Sequence, residues 1–429
     1  MKLIFNYDNL MSALQEVSLI VEDSSVADDR KNVNIEVGTT AVKIIGVSNR
    51  IANRNILERD SYQLEFGAGE ELGENESYLF SVRNKQLLNF LNTYKNLRKT
   101  RVDSVILDIP TDHVVNENTG RKILGGILKC IMIEVPIEVE EGEEVKVQRG
   151  EAKFNLLNIP VEIQKAVVST IDESNLVDVV SESLMLYTLT LMPILEGGDT
   201  LKNYIHFDTD NVVALTNRLH VVIKNLIQTK GKEQENPFTQ LRLHKKCINF
   251  LNKVLANADE TVKVAKDNRY LYFKWPNNEL SLAYEPFTVN YTRILEQITK
   301  NNGLWLDRAY LKDVLKRFSL SGQEMYFEVK PKERIIHLKS ADFEQDLDME
   351  SISGYDGIEK ITFRIMPSAL TTCIIGDDDA FIYPDEPNGE NIALYYDGDG
   401  SGDAAYISIG DVSDTWVSVL RASVTVDKN

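Results

Sequence analysis

One arrangement of helix and strand signals occurs three times along this 429-residue chain, and that recurrence limits the fold more than any single motif. The first round opens with Leu10, Leu14, Val17 and Val21 at helical spacing over Tyr7–Val21, with Asn6 or Asp8 as the cap. Strand patterns follow at Val33–Val37, Ala41–Val47, Ile51–Leu57 and Gln63–Phe66. A second helix follows Tyr78–Val82, further strands are expected at Ser104–Ile109, Gly126–Ile133 and Glu144–Val147, and Ala152–Pro160 closes the region. The second round has a helix over Ser183–Leu195, strands within Tyr204–Ile223, a helix carrying Ile248, Leu251, Val254 and Leu255, and strands within Val262–Tyr284. The third begins at Leu304, with a helix carrying Leu311, Val314, Leu315 and Phe318, then strands, a short helix near Pro367–Ile375, and strands up to Ile409. The connections between strands are too short for crossovers, so the sheets should be antiparallel. Repeats of roughly 130–170 residues imply similar domains. The expected fold is therefore α+β, with two helices packed on antiparallel sheets in each of three domains, 1–172, 173–299 and 300–429.

Charge adds a second constraint. The net charge is −19, yet three helical stretches, Arg83–Arg101, Arg242–Lys253 and Arg308–Arg317, hold 14 of the 47 Lys and Arg residues and a single acid, Asp313. Each occupies the same relative place in its repeat. Taken singly, such a stretch could be an ordinary solvated helix face; three in matching places point to a shared anionic partner. The mixture of Lys, Arg, Asn and Gln suits phosphate contact without sequence choice. The acidic remainder excludes indiscriminate coating of DNA or of an anionic membrane. Nothing in the sequence suggests a signal peptide or a membrane span. Cys130, Cys247 and Cys373 are scattered in apolar surroundings, as expected of buried free thiols in a reducing compartment.

Catalytic signals are weak. No phosphate-binding glycine loop, nucleophile elbow or zinc-ligand spacing is present, so no enzyme activity, cofactor or metal is expected. The run Asp397–Asp403 (DGDGSGD) resembles the start of a calcium loop, but its twelfth position is Ser408 rather than a bidentate Glu. It reads as a hairpin tip, and Asp377–Asp379 reads as a turn; a metal-dependent nuclease using either run is the least favoured reading. The segment Val212–Val222 (VVALTNRLHVV) could be an ordinary hairpin, with Arg218 in its turn.

In order along the chain, several segments resemble the bacterial-type DNA polymerase sliding clamp, the β processivity factor. Asn9–Val17 (NLMSALQEV) resembles its opening helix, Val33–Leu57 the strands that follow, and Phe80–Leu88 (FSVRNKQLL) its entry to the second helix. Phe154–Pro160 (FNLLNIP) is similar to the F-x-L-x-x-x-P ending of the first domain. Ala214–Val222 (ALTNRLHVV) resembles A-T-D-G-H-R-L-A-V, keeping Arg218 and Leu219 but not the glycine and histidine of the turn. Asn290–Leu295 (NYTRIL) resembles D-Y-R-R-V-L, and Ala404–Ile409 (AAYISI) resembles the final strand A-A-Y-V-V-M. The chain is longer than usual members, notably at Pro110–Gly125, Ile227–Asn236 and in the tail Val412–Asn429, a divergence that suggests a bacteriophage or other mobile-element version.

The resemblance implies a non-catalytic homodimeric ring in the cytoplasm, closed head to tail around double-stranded DNA without sequence specificity. Its lining would include Arg83, Lys85, Lys95, Arg98, Lys99, Arg242, Lys245, Lys246, Lys253, Arg308, Lys312 and Lys316. It also implies an apolar cleft between the second and third domains, where the DNA polymerase and the clamp loader insert short apolar peptides. Carried over by position, that cleft would use Leu215, Arg218, Leu219, Val289, Ile294, Ile407 and Ile409, and the tail could cover it, brace the third domain or reach the next subunit. The competing reading is a multidomain scaffold or virion protein whose basic helices bind an acidic protein.

Overall fold

The computed structural model describes residues 1–21, 31–67, 72–73, 76–116, 120–137, 147–168, 175–195, 201–216, 219–230, 235–256, 259–287, 291, 303–374, 391–397, 401–411 and 416–428; at 165–168, 391–406, 411, 421 and 428 only the backbone is considered. The calls on Arg218, Val289, Ile294 and Asp377–Asp379, and most of Glu144–Val147, lie outside the described residues. Seven α-helices are described: α1 (Tyr7–Val21), α2 (Asn84–Asn92), α3 (Val161–Val168), α4 (Ser181–Leu191), α5 (Lys245–Leu255), α6 (Arg308–Ser319) and α7 (Pro367–Cys373). No helix among the described residues is long and apolar enough to cross a membrane.

The chain divides into two compact units, Met1–Asp178 with Thr261–Ala283, and Val179–Glu260 with Tyr284–Asn429. The units do not follow the repeat boundaries because sheets continue across those boundaries. Asn278–Ala283 pairs antiparallel with Ile51–Glu58, which draws the last strands of the second repeat into the first unit.

The first unit holds a five-stranded antiparallel sheet in the order Gln148–Asn155, Ile127–Pro136, Thr100–Asp108, Lys2–Phe5, Tyr62–Glu65. A second sheet runs from Thr261–Lys266 through Tyr270–Trp275, Asn278–Ala283, Ile51–Glu58, Ala41–Val47, Asn32–Val37 and Tyr78–Arg83. It ends on Lys122–Leu124, which pairs parallel to Tyr78–Arg83, and on His113–Val115. The stretch Pro110–Gly125, expected as an expanded loop, therefore contains a hairpin. Helix α1 buries Leu10, Leu14 and Val17 toward these strands. It approaches so closely that a Cβ on Gly46 would lie 2.9 Å from Val17 Cγ1. Helices α1 and α2 pack together, tied by Tyr7 Oη donating to the Leu91 carbonyl at 3.0 Å and Asn84 Nδ2 donating to Ser18 Oγ at 2.6 Å.

The second unit is built on one long antiparallel sheet ordered Glu285–Pro286, Leu241–His244, Tyr204–Phe207, Asn211–Leu215, Leu219–Lys224, Trp416–Lys428, Ile358–Ile365, Met325–Lys330, Ile335–Lys339, Glu344–Asp348. Ser401–Asp411 adds on the C-terminal strand as a branch that continues to Asn391–Asp397 and Gly303–Asp307. Helix α4 packs on α5, and α6 on α7. The tail is thus the sheet's central strand rather than an accessory: Trp416–Lys428 pairs with Leu219–Lys224, with Ile358–Ile365 and with Ser401–Asp411. Its buried set, Trp416, Val419, Leu420, Ala422 and Val424, shows why. Such a segment loses its apolar burial anywhere but in a sheet with two covered faces.

Candidate functional site

Each packed helix pair keeps its cations on one member. Helices α1, α4 and α7 contain no Lys or Arg, whereas α2, α5 and α6 do. Helix α2 buries Leu87 and Leu91 and leaves Lys85, Gln86 and Asn89 exposed. It is shorter than the basic run. Thr93, Tyr94 and Lys95 donate backbone N–H groups to the carbonyls three residues earlier, at 3.1, 3.0 and 3.2 Å. These tight turns end the helix, and from Thr100 a strand takes over, with Val105 and Leu107 buried two residues apart. Lys95, Arg98 and Lys99, expected along a helix, lie instead in the exposed turn between α2 and Thr100–Asp108.

The second basic run also spans two elements. Arg242 belongs to the strand Leu241–His244, where its Nη2 reaches Glu285 Oε2 at 2.5 Å and its guanidinium lies 4.8 Å from the Tyr204 ring centre. Tyr204 Oη also donates to Glu285, at 2.7 Å, so Arg242 is held by the fold. His244 caps α5, its Nδ1 accepting from the Lys246 N–H at 3.2 Å. Lys245 Nζ donates to the Leu195 carbonyl at 2.6 Å. Lys246 is half-buried, and Lys253 is exposed in the last turn.

Helix α6 starts on Asp307, whose side chain accepts from the Tyr310 N–H at 2.7 Å. Leu311, Val314, Leu315 and Phe318 are buried. Arg308 and Lys312 are half-buried; Lys316 and Arg317 are exposed, and Lys316 meets Asp313 at 3.3 Å in a pair too exposed to contribute much. Arg83 is half-buried at the N-cap of α2. Lys85, Lys253, Lys316 and Arg317 are therefore the exposed cations on these helices.

The second feature is a groove of about 730 Å³ in the second unit. The hairpin Asn211–Lys224 supplies Thr216 and Leu219; Thr216 closes its turn, with its N–H donating to the Leu219 carbonyl at 2.7 Å and its Oγ1 accepting from the Leu219 N–H at 2.9 Å. The C-terminal strand supplies Leu420, Ala422 and Ser423. Ile365, Met366, Ala369 and Thr372 come from the entry to α7 and from α7 itself, and Pro193 and Ile194 from the 3-10 turn Met192–Ile194 that follows α4. Glu324 and Arg364 pair across its rim at 2.6 Å.

Among the described residues expected in a cleft, only Leu219 lines this groove. Leu215 faces elsewhere, packing with Val213, Val222, Phe287 and Tyr291. Ile407 and Ile409 are fully buried in Ser401–Asp411, opposite Leu420 and Ser418, so the C-terminal strand stands between them and Leu219. Ala404–Ile409, expected as the final strand, is followed by Trp416–Lys428, which pairs with both it and Leu219–Lys224. The signal that could have found Leu420 and Ala422 was the apolar alternation of Trp416–Val426 itself.

Among the described residues no group of three His, Cys, Asp or Glu side chains is placed to hold a metal ion. All three cysteines are buried free thiols; burial pushes the Cys130 thiol up to about 12 and that of Cys373 upward as well.

No protein-family model matches the chain, and no curated protein matches its sequence. Solved structures do match. The DNA polymerase sliding clamp of Bacillus subtilis is 13% identical with a TM-score of 0.67, covering 98% of each chain. The DNA polymerase III beta chain of Streptococcus pneumoniae is 11% identical with a TM-score of 0.68, covering 98% of this chain and 99% of that one. The DNA polymerase III subunit beta of Pseudomonas aeruginosa is 13% identical with a TM-score of 0.64 over the same shares. This chain has the sliding-clamp fold from end to end.

Proposed function

We propose that the chain is a DNA sliding clamp, a non-catalytic ring that encircles duplex DNA and tethers a replicative polymerase. The observation that carries this reading is the segregation of cations onto one helix of each of three packed pairs, in a strongly acidic chain that has the clamp fold. A few exposed cations give weak, salt-dependent phosphate contacts. Weak contacts alone let a protein slide but not stay; a closed ring supplies persistence by topology. On this reading Lys85, Lys253 and Lys316 face DNA, with Arg83, Lys245, Lys246, Arg308 and Lys312 shaping the field behind them.

Closure needs a second copy, and two sheet edges that pair with no further strand among the described residues suit it. Gln148–Asn155 ends its sheet with Arg149 and Lys153 exposed on either side of Glu151. Glu344–Asp348 ends the other unit's sheet with Glu344, Asp346 and Asp348 exposed. Unpaired edges invite strand addition, and Leu320, 80% exposed at the end of α6, offers an apolar anchor. The Leu219–Leu420 groove takes the short apolar peptide of a polymerase or clamp loader, its volume lying within the roughly 300–1,000 Å³ of ligand sites. The reading puts the protein in the cytoplasm of a bacterial or phage-infected cell.

The decisive experiment loads the protein onto nicked circular DNA and then linearises the DNA. Retention on the circle and loss from the linear form are expected. Equal retention on both forms overturns the ring.

A further inference from the structure

The turn after α2 is the most concentrated positive segment described, and the helix faces do not account for it. Lys95–Arg101 (KNLRKTR) holds four cations and no acid, and Lys95, Arg98, Lys99 and Arg101 are all exposed. None of the four makes an ion pair with a described residue. The turn is fixed in place. The Lys95 N–H donates to the Asn92 carbonyl at 3.2 Å, the Ile137 N–H to the Lys99 carbonyl at 3.1 Å, and Thr100 Oγ1 to Glu134 Oε2 at 2.8 Å.

Beside it lies a groove of about 440 Å³ whose lining includes Tyr7, Asp8, Tyr94, Lys95, Arg101 and Asp103. Two aromatic rings border it. Tyr7 is anchored through its hydroxyl to the Leu91 carbonyl. Tyr94 sits edge-on to Phe90, ring centres 5.4 Å apart, with its hydroxyl over Gly150 in space that any side chain would fill.

We infer that the Lys95–Arg101 segment, the turn after α2 and the first two residues of the strand that follows, and the groove beside it form a contact for single-stranded nucleic acid, distinct from the helix faces assigned to the duplex. Cations that track a backbone beside aromatic rings are the arrangement that holds single strands, because every base offers a face to stack. The groove has room for an unpaired base and none for a duplex. Asp8 and Asp103 on its wall disfavour a free multivalent anion. A strand instead lays its phosphates along the exposed cations and offers the groove a neutral base.

The test is fluorescence anisotropy of the full chain with labelled oligo(dT), over a salt series starting near 50 mM, with a duplex of equal length as the comparison. The variant Lys95→Gln/Arg98→Gln/Lys99→Gln/Arg101→Gln changes exposed side chains only, and its thermal unfolding should match wild type. It should lose on the order of tenfold or more in oligo(dT) affinity and show a shallower salt dependence. Lys85→Gln/Lys253→Gln/Lys316→Gln should keep oligo(dT) affinity. Unchanged binding in the first variant, equal loss in the second, or a loss confined to duplex overturns the proposal. Retention on circular DNA is a separate readout, so this contact and the ring can fail independently.

Discussion

Leu219 and Leu420 lie directly opposite each other on adjacent antiparallel strands, and both face the same groove. They are 6% and 3% exposed, so the groove floor is nearly closed by its own walls. A peptide's apolar end would displace little ordered structure on docking there. Replacing Leu420 by Asn should lower the affinity of a polymerase-derived apolar peptide by about 1–3 kcal/mol, roughly 10–100-fold, as for a central anchor contact. Calorimetric titration measures it. Wild-type affinity in a folded variant would remove the groove from the peptide site.

The C-terminal strand should be indispensable to the second unit. Trp416, Val419, Leu420 and Val424 are each at most 3% exposed, and the strand pairs on both sides. Burying four such side chains contributes roughly 6–12 kcal/mol at about 1.5–3 kcal/mol each. That rivals the whole stability of a typical domain, about 5–15 kcal/mol. A chain ending at Asp411 should therefore yield an unfolded or aggregated second unit, while the first unit, Met1–Asp178 with Thr261–Ala283, contains none of the deleted residues. Circular dichroism melting and limited proteolysis would show this; a cooperative melt matching the full chain would refute it.

The sequence made the helical pairs legible because their periodicity is strong. The helix Tyr7–Val21 matches its expected bounds, and the expected strand Ala41–Val47 does too. What the sequence hid was where one regular element ends within a run of uniform charge. Arg83–Arg101 and Arg242–Lys253 each read as one basic helix, but charge does not distinguish helix from turn or strand. Backbone hydrogen bonding at Thr93–Lys95 and the pairing of Arg242 with Glu285 decide it. The strand beside Leu219 was hidden for a different reason. Ser401–Asp411 and Trp416–Lys428 are both apolar strands, and pattern alone cannot say which one sits against Leu219.

Exposed lysines on the three basic helices should act through phosphate contact and nothing else. Each of Lys85→Gln, Lys253→Gln and Lys316→Gln should weaken duplex binding about equally for any sequence. Each should also lower the slope of log affinity against log salt by about one. Titrations of labelled duplex at several salt concentrations measure both. A change in sequence preference, or a slope unmoved by all three substitutions together, contradicts a sliding contact.

Acid should weaken the second unit through His206. This side chain is fully buried, with Nε2 donating to the Leu201 carbonyl at 3.0 Å. Burial drives its pKa from 6.5 down to about 4, helped by the nearby Arg242 charge and opposed by the Leu201 hydrogen bond. The sign follows from which state takes the proton first. As pH falls through 6.5 the unfolded chain protonates this ring while the folded chain does not until about 4. Stability from the neutral ring is therefore complete above the unfolded value, drains away between the two, and is gone below the lower one. The loss is on the order of 3 kcal/mol. Denaturant unfolding of wild type and His206→Gln from pH 7.5 down to about 4 tests it, with the variant less stable at neutral pH but flatter toward acid. Parallel curves for the two proteins would place the acid sensitivity elsewhere.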